Sequence, residues 1–262
     1  MMRLRGDTAP PAGTAAIAGR DIHLVIDGHH ILDSVGIEVG RGEFMAVIGP
    51  NGAGKTSLIN VLSGATRATS GTVHLLGRDV TGRPPHRRAR AGLGRTFQTS
   101  NLLLGRSVRE NARLAARARR SGFLGNAALV SGGGEAWDRA DEALALVGLD
   151  RLAGRPASTL SHGDRRKLEL ATVLAQGSEV ILLDEPMAGV NIDDVRGLVD
   201  LVQRVHRTQA KTIVMIEHHM NVVLDLADRI AVMHHGALVA CGSPEEIIAS
   251  EIVQTVYMGE PL

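Results

Sequence analysis

The sequence predicts an α/β fold built on a largely parallel sheet, and three observations carry that expectation. Aliphatic runs of strand length alternate with helical stretches through the second half of the chain, the pattern of a parallel sheet covered on both faces. The core must be aliphatic, because 44% of the 262 residues are apolar yet only Phe44, Phe97, Phe123, Trp137 and Tyr257 are aromatic. Near residue 50, an apolar strand, a glycine-rich loop and a helix follow one another without a gap.

Taken in order, residues 1–20 are rich in Ala, Pro and Gly, including Pro10-Pro11, and read as a disordered tail. Strand-like runs follow at His23-Leu24-Val25-Ile26, Gly36-Ile37-Glu38-Val39 and Phe44-Met45-Ala46-Val47-Ile48, with another at Thr72-Val73-His74-Leu75-Leu76. From about residue 99 to 176 the composition turns helical, as in Arg109–Ala115 and Ala136–Val147, with Ser131-Gly132-Gly133-Gly134 as a break between them. This stretch reads as a helical subdomain inserted into an α/β domain that spans 21–262. Strand runs resume at Glu179–Leu183, Thr212–Ile216 and Arg229–Met233, separated by helical stretches at Asp193–Arg207 and Asn221–Leu226.

The phosphate chemistry is concentrated in Gly49-Pro50-Asn51-Gly52-Ala53-Gly54-Lys55-Thr56, with Ser57 opening the helix behind it. This is G-x-x-x-x-G-K-T, a loop whose backbone N–H groups wrap a phosphate at a positively polarised helix N-terminus. Lys55 is one of only three lysines, so no lysine-rich background produces the match. A second signal is Val180-Ile181-Leu182-Leu183-Asp184-Glu185, four strand residues ending in two carboxylates at the sheet edge where such folds place ligands. Asp184 suits a magnesium held through water and Glu185 suits activation of an attacking water, although an apolar strand ending in Asp-Glu is common on its own. A third is Leu160-Ser161-His162-Gly163-Asp164, where Ser161 is a natural N-cap and the helix start beside Gly163 is a second anion site. In isolation this third element is an ordinary capped helix.

Composition excludes several classes. The net charge of +1 gives no global field for nucleic acid or an anionic membrane, and arginines clustered at Arg83–Arg95 and Arg106–Arg120 read as solvated helical faces. Cys241 stands alone, which rules out a disulfide framework within the chain and fits a reducing compartment. The eleven histidines show no H-E-x-x-H spacing, and no apolar run reaches the eighteen or so residues needed to span a bilayer. Arg3 and Arg5 precede no apolar segment, so no secretory signal is expected.

In combination and order, the phosphate loop, Gln98, Leu160-Ser161-His162-Gly163, Val180–Glu185 and Ile216-Glu217-His218 resemble the ATP-binding cassette (ABC) ATPase family over residues 21–260. Arg95-Thr96-Phe97-Gln98, the long helical insert, Gly163–Glu169, Ala188-Gly189-Val190-Asn191, Ile216–Met220 and Tyr257–Glu260 are similar to the ATPase subunits of branched-chain amino-acid importers. The resemblance implies a P-loop NTPase core, mostly parallel with an antiparallel β lobe, carrying the helical insert. It implies ATP and Mg2+ as the ligands of Gly49–Ser57, with Lys55 on the terminal phosphates, and Thr56, Gln98 and Asp184 on the metal side. Glu185 would be the general base, with Gln98 and His218 completing the catalytic set. Ser161 and Gly163 would reach the γ-phosphate held by a second ATPase subunit, and Asn191 would sit at that interface. The implied partners are membrane permease subunits and, indirectly, a solute-binding protein, with no nucleic acid. The implied place is the cytoplasmic face of the membrane, peripherally attached. The family's adenine-stacking aromatic is absent near Ile26, which leaves His29, His30 or Ile26 itself against the base. His162 and Asp164 depart from the commoner Gly and Gln. A soluble cassette ATPase, acting on nucleic acid or in iron–sulfur assembly, is the alternative.

Overall fold

The computed structural model describes residues 15–96, 101–118 and 133–258. Ten strands occur among them: β1 Ala15–Ile26, β2 His29–Gly40, β3 Phe44–Ile48, β4 Ser70–Leu75, β5 Arg78–Asp79, β6 Leu93–Arg95, β7 Val180–Asp184, β8 Thr212–Ile216, β9 Arg229–His234 and β10 Ala237–Gly242. The chain divides into two compact units, one of residues 1–88 with 212–262 and one of residues 89–211.

In the first unit, β2, β1, β4 and β5 form an antiparallel sheet in that order. The β1–β2 hairpin turns through Asp27-Gly28, both at positive φ (50° and 81°), the arrangement of a type I′ turn. Strand β3 runs parallel to β8 on one side and to β9 on the other, pairing Val47 with Ile216 and Ile48 with Val232. All five β3 residues are buried, as the aliphatic core requires.

The expected tail is corrected at its C-terminal end. Residues 15–20 are not disordered: they open β1, where Ile17, Ala18 and Gly19 pair with Leu75, His74 and Val73 of β4. Small residues weaken a strand's sequence signal, yet here they fit a strand flanked on both sides. A Cβ on Gly19 would lie 3.2 Å from the Ile22 side chain and 3.4 Å from that of Leu62. Residues 1–14 lie outside the described ones.

The helix Lys55–Ser63 begins at Gly54 and ends at Gly64, each in the left-handed region. Its C-terminal carbonyls meet a buried cation: the Arg88 guanidinium donates to the carbonyls of Val61 and Leu62 (2.7 Å each), Thr81 (2.9 Å) and Arg83 (3.0 Å). A cation at a helix C-terminus complements the dipole, and burial pulls the Arg88 pKa down to about 10.

In the second unit, β6 and β7 pair in parallel, Leu93 with Val180 and Arg95 with Leu182. The helices Val108–Ala118, Gly133–Leu146 and His162–Gln176 pack on one another. Two guanidinium groups lie over the Trp137 ring, Arg109 at 4.5 Å and Arg113 at 4.1 Å from its centre, and Arg109 is in turn paired to Asp141. The arginine clusters are thus partly structural: Arg88, Arg95, Arg109 and Arg113 are all engaged. The compact unit is wider than the helical insert expected at 99–176, because β6, β7 and the helix Ile192–Gln209 belong to it.

Candidate nucleotide-binding site

Strand β3 delivers the phosphate loop at its C-terminal end. Gly49 sits at φ +148°, and a Cβ there would lie 2.1 Å from the Met233 carbonyl oxygen, so only glycine lets the loop leave the strand. The Gly236 N–H donates to the Ala53 carbonyl (3.1 Å), which ties the loop to the β9–β10 turn. The helix that follows has no side-chain cap and no acidic residue in its first turn. Its first amides, which like those of any helix lack an intrahelical acceptor, are therefore served by no side-chain cap, and no carboxylate offsets the dipole, the electrostatics of an anion site. Lys55, 6% exposed, donates from Nζ to the carbonyls of Gly49 (2.7 Å) and Pro50 (2.8 Å), so its charge is folded back across the loop. Thr56 is exposed, its hydroxyl available at the same end of the helix.

The β3–β8 register brings a second element to this sheet edge. Val47 pairs with Ile216, so Glu217 and His218 leave β8 where Ile48 and Gly49 leave β3. Glu217 is buried, and its Oε1 accepts from the backbone N–H of His218 (3.1 Å) and His219 (3.4 Å) and lies 2.6 Å from His219 Nδ1. This carboxylate fixes the backbone that presents His218, which is itself exposed.

The second unit carries the acidic element. Asp184 ends β7, is 2% exposed, and has Oδ2 2.9 Å from the Arg95 guanidinium, while its Oδ1 has no hydrogen-bond partner among the described residues. Burial raises the Asp184 pKa, an effect that Arg95 opposes. Glu185 follows at φ 48°, a strained value for a non-glycine residue, and opens a turn closed by the Ala188 N–H on its carbonyl (3.1 Å). Ser161 caps the helix His162–Gln176 by accepting from the Asp164 N–H (3.1 Å), and both Ser161 and His162 are exposed. Asp164 already occupies this helix's first turn, with Lys167 3.2 Å away. Asn191 occupies the N-cap position of the helix Ile192–Gln209 without a side-chain bond to it. Gln98 lies outside the described residues.

Among the described residues no cluster of three or more His, Cys, Asp or Glu side chains could hold a metal. A hard divalent ion would need phosphate and water oxygens for most of its shell. The exposed Thr56 hydroxyl in the first unit and, separately, the unpartnered Asp184 Oδ1 in the second are each an oxygen donor of the kind Mg2+ accepts. Three structural residues carried no role in the sequence. Arg95 had only its place in Arg-Thr-Phe-Gln, and neither Glu217 nor Arg88 gave a signal, because their partners are distant in sequence or are backbone groups.

Comparison with known proteins places this geometry in a family. The ABC transporter family matches residues 32–188. The high-affinity branched-chain amino acid transport ATP-binding protein LivG of Salmonella typhimurium is 38% identical over 234 residues, covering 87% of this chain and 92% of that protein. BraF of Pseudomonas aeruginosa, with the same description, is 34% identical over 235 residues, again 87% of this chain and 92% of the relative. Among solved structures, a nucleotide-free ATP-binding cassette of an ABC transporter superposes with a TM-score of 0.82 at 28% identity, covering 94% of this chain and 100% of that one. An ATP-binding cassette of an ABC transporter in its ADP conformation gives 0.80, also at 28% identity, over 94% of this chain and 99% of that one. The chain belongs to the ABC transporter family and is one of its ATP-binding, ATP-hydrolysing cassette subunits.

Proposed function

We propose that this subunit drives uptake of branched-chain amino acids or closely related solutes through a separate membrane permease, from the cytoplasmic face of the membrane. The observation that carries the reading is the likeness to LivG and BraF over 87% of the chain. Among the described residues no helix is long and apolar enough to cross a membrane. A solute-binding protein would deliver the cargo to that permease.

ATP phosphates lie on Gly49–Ser57, with Lys55 turning from the Gly49 and Pro50 carbonyls onto the terminal phosphates. Thr56, Asp184 and Gln98 are the residues that would hold Mg2+, which supplies charge neutralisation on the phosphates when bound. Glu185 takes the proton of the attacking water, and His218 contacts the γ-phosphate from the adjoining sheet edge. Ser161 and Gly163 reach the γ-phosphate of a second cassette subunit, which makes the working unit a head-to-tail dimer. Phosphoryl transfer needs little covalent help from the protein, so positioning and charge neutralisation dominate.

The permease contact falls on the second unit. A cavity of about 230 Å3 there is lined by Leu102, Leu103, Leu114 and Ala115 together with Asn111 and Glu169, and the Leu103 side chain is half exposed. A short apolar segment of a permease loop suits this surface.

The test is uptake of labelled leucine, isoleucine and valine by cells that carry this chain as their only such ATPase, with its permease. Lys55→Met and Glu185→Gln should each abolish uptake, and Glu185→Gln should accumulate an ATP-bound dimer. Undiminished uptake by either variant, or rapid ATP turnover by Glu185→Gln, overturns the reading.

A further inference from the structure

The loop that follows Glu185 rests on the first turns of the helix that Ser161 caps. Gly189 lies at φ +74° with its bare Cα against the His162 ring: a Cβ there would stand 3.3 Å from His162 Cε1 and 3.4 Å from Nε2. One turn further along, Arg166 donates to the Ala188 carbonyl (3.4 Å) while its other terminal nitrogen pairs with Glu169 at 3.0 Å, both side chains 8% exposed. Gly163 faces Asp194 at the loop's far end, where a Cβ would meet Oδ2 at 3.5 Å. Ala188 is also the residue whose N–H closes the turn on the Glu185 carbonyl (3.1 Å). The backbone of Glu185 is therefore fixed at the far side of its turn by a buried arginine and an imidazole, both carried by the helix His162–Gln176.

We infer that His162 and Arg166 are positioning residues that tie the turn bearing Glu185 to the helix bearing Ser161. A shift of that helix must displace Ala188 and Gly189, and these two residues end the turn that aims the Glu185 carboxylate. The inference rests on the site roles proposed above. Under those roles, engagement of Ser161 by the neighbouring subunit's nucleotide sets the aim of Glu185 in the same chain, so each site reports its occupancy to the other. The strained φ of Glu185 suits such a device, because a residue held off its preferred conformation relaxes when its support moves.

The test uses the assembled transporter and three variants. His162→Ala removes an exposed ring without touching the Ser161 cap. His162→Phe retains a ring over Gly189. The paired replacement Arg166→Met with Glu169→Met removes the grip on Ala188 without leaving a buried charge unpaired. Small misplacements of a catalytic group have large kinetic effects, so His162→Ala and the paired variant should lower kcat about tenfold while ATP affinity stays within about twofold. His162→Phe should restore most of the rate. In a Glu185→Gln background, Mg·ATP should increase hydrogen-exchange protection of amides 186–191, and His162→Ala should remove that gain. Wild-type turnover by His162→Ala, or an undiminished gain in protection, overturns the inference. Ser161→Arg in the same complex separates the two levels. If it turns over like wild type, the site roles fail. If it is inactive while His162→Ala is not, only the tie between helix and turn fails.

Discussion

Arg95 and Asp184 form an ion pair buried at both ends, 2.9 Å apart with side chains 9% and 2% exposed. The arrangement leaves Asp184 Oδ1 unpartnered and the carboxylate in a medium that disfavours its charge. Its pKa is raised, by burial first and only partly offset by Arg95. A carboxyl group whose folded pKa exceeds its unfolded value favours folding below the unfolded pKa, and that contribution is lost as pH rises through the folded pKa. Asp184→Asn removes this pH-dependent term but leaves the buried Arg95 without its counter-charge, so the variant should be the less stable protein at about pH 4 and its stability relative to the wild type should rise towards about pH 8. Denaturant unfolding across that range checks the sign; a relative stability that grows as pH falls would refute it. Under the metal role proposed for Asp184, the same variant should lose metal-dependent hydrolysis.

Arg88 closes the far end of the phosphate-loop helix with four carbonyl acceptors. Lysine presents its donors from a single point and cannot reach acceptors on Val61, Leu62, Thr81 and Arg83 at once. Arg88→Lys should cost about 2 kcal/mol and Arg88→Met about 3–5 kcal/mol, because buried carbonyls are left without donors. Urea unfolding gives the numbers. A loss below about 0.5 kcal/mol for Arg88→Met would show that the carbonyls find other partners.

The contiguous parts of the site were legible in the sequence, and the paired parts were not. Gly49–Thr56 specifies itself, because glycine at the left-handed and close-approach positions, lysine and a hydroxyl all fall within eight residues. Ser161 was readable as a cap because capping is local. The Arg95–Asp184 pair joins residues 89 positions apart, and no local pattern announces it. Glu217 was read only as the residue before His218, because a buried carboxylate bonded to backbone N–H groups leaves no periodic trace. The strand at Ala15–Gly19 reads as tail because its small side chains carry little hydrophobic signal, while the ladder with β4 that orders residues 17–19 comes from residues 73–75.

Trp137 reports on the second unit alone, since it is the only tryptophan in the chain. Two guanidinium groups within 4.5 Å of its ring join the helices Val108–Ala118 and Gly133–Leu146. Each cation–π contact contributes about 0.5–1 kcal/mol, and loss of the half-buried ring adds to that. Trp137→Ala should destabilise by about 2 kcal/mol and Trp137→Phe by about 1 kcal/mol. Wild-type indole emission should change on unfolding together with circular dichroism. Trp137→Ala as stable as the wild type would mean that the stack contributes nothing.

Lys55 holds the phosphate loop together when no nucleotide bridges it, through bonds of 2.7 and 2.8 Å to the Gly49 and Pro50 carbonyls. Under the proposed role phosphate oxygens take over from those carbonyls, so that the ammonium exchanges neutral acceptors for anionic ones and gains a direct charge–charge attraction. Most of the lysine's contribution should therefore appear only with ligand. Lys55→Met should change the melting temperature of the free protein little, because the methionine fills the same buried channel and removes a charge that was costly to bury. It should weaken ATP binding about 100-fold, equivalent to about 2.7 kcal/mol. Ligand-induced stabilisation grows with the logarithm of ligand concentration over Kd, so the wild type should show a rise in melting temperature with ATP that Lys55→Met lacks at the same concentration. Equal shifts in the two proteins would place the phosphates elsewhere than on this loop.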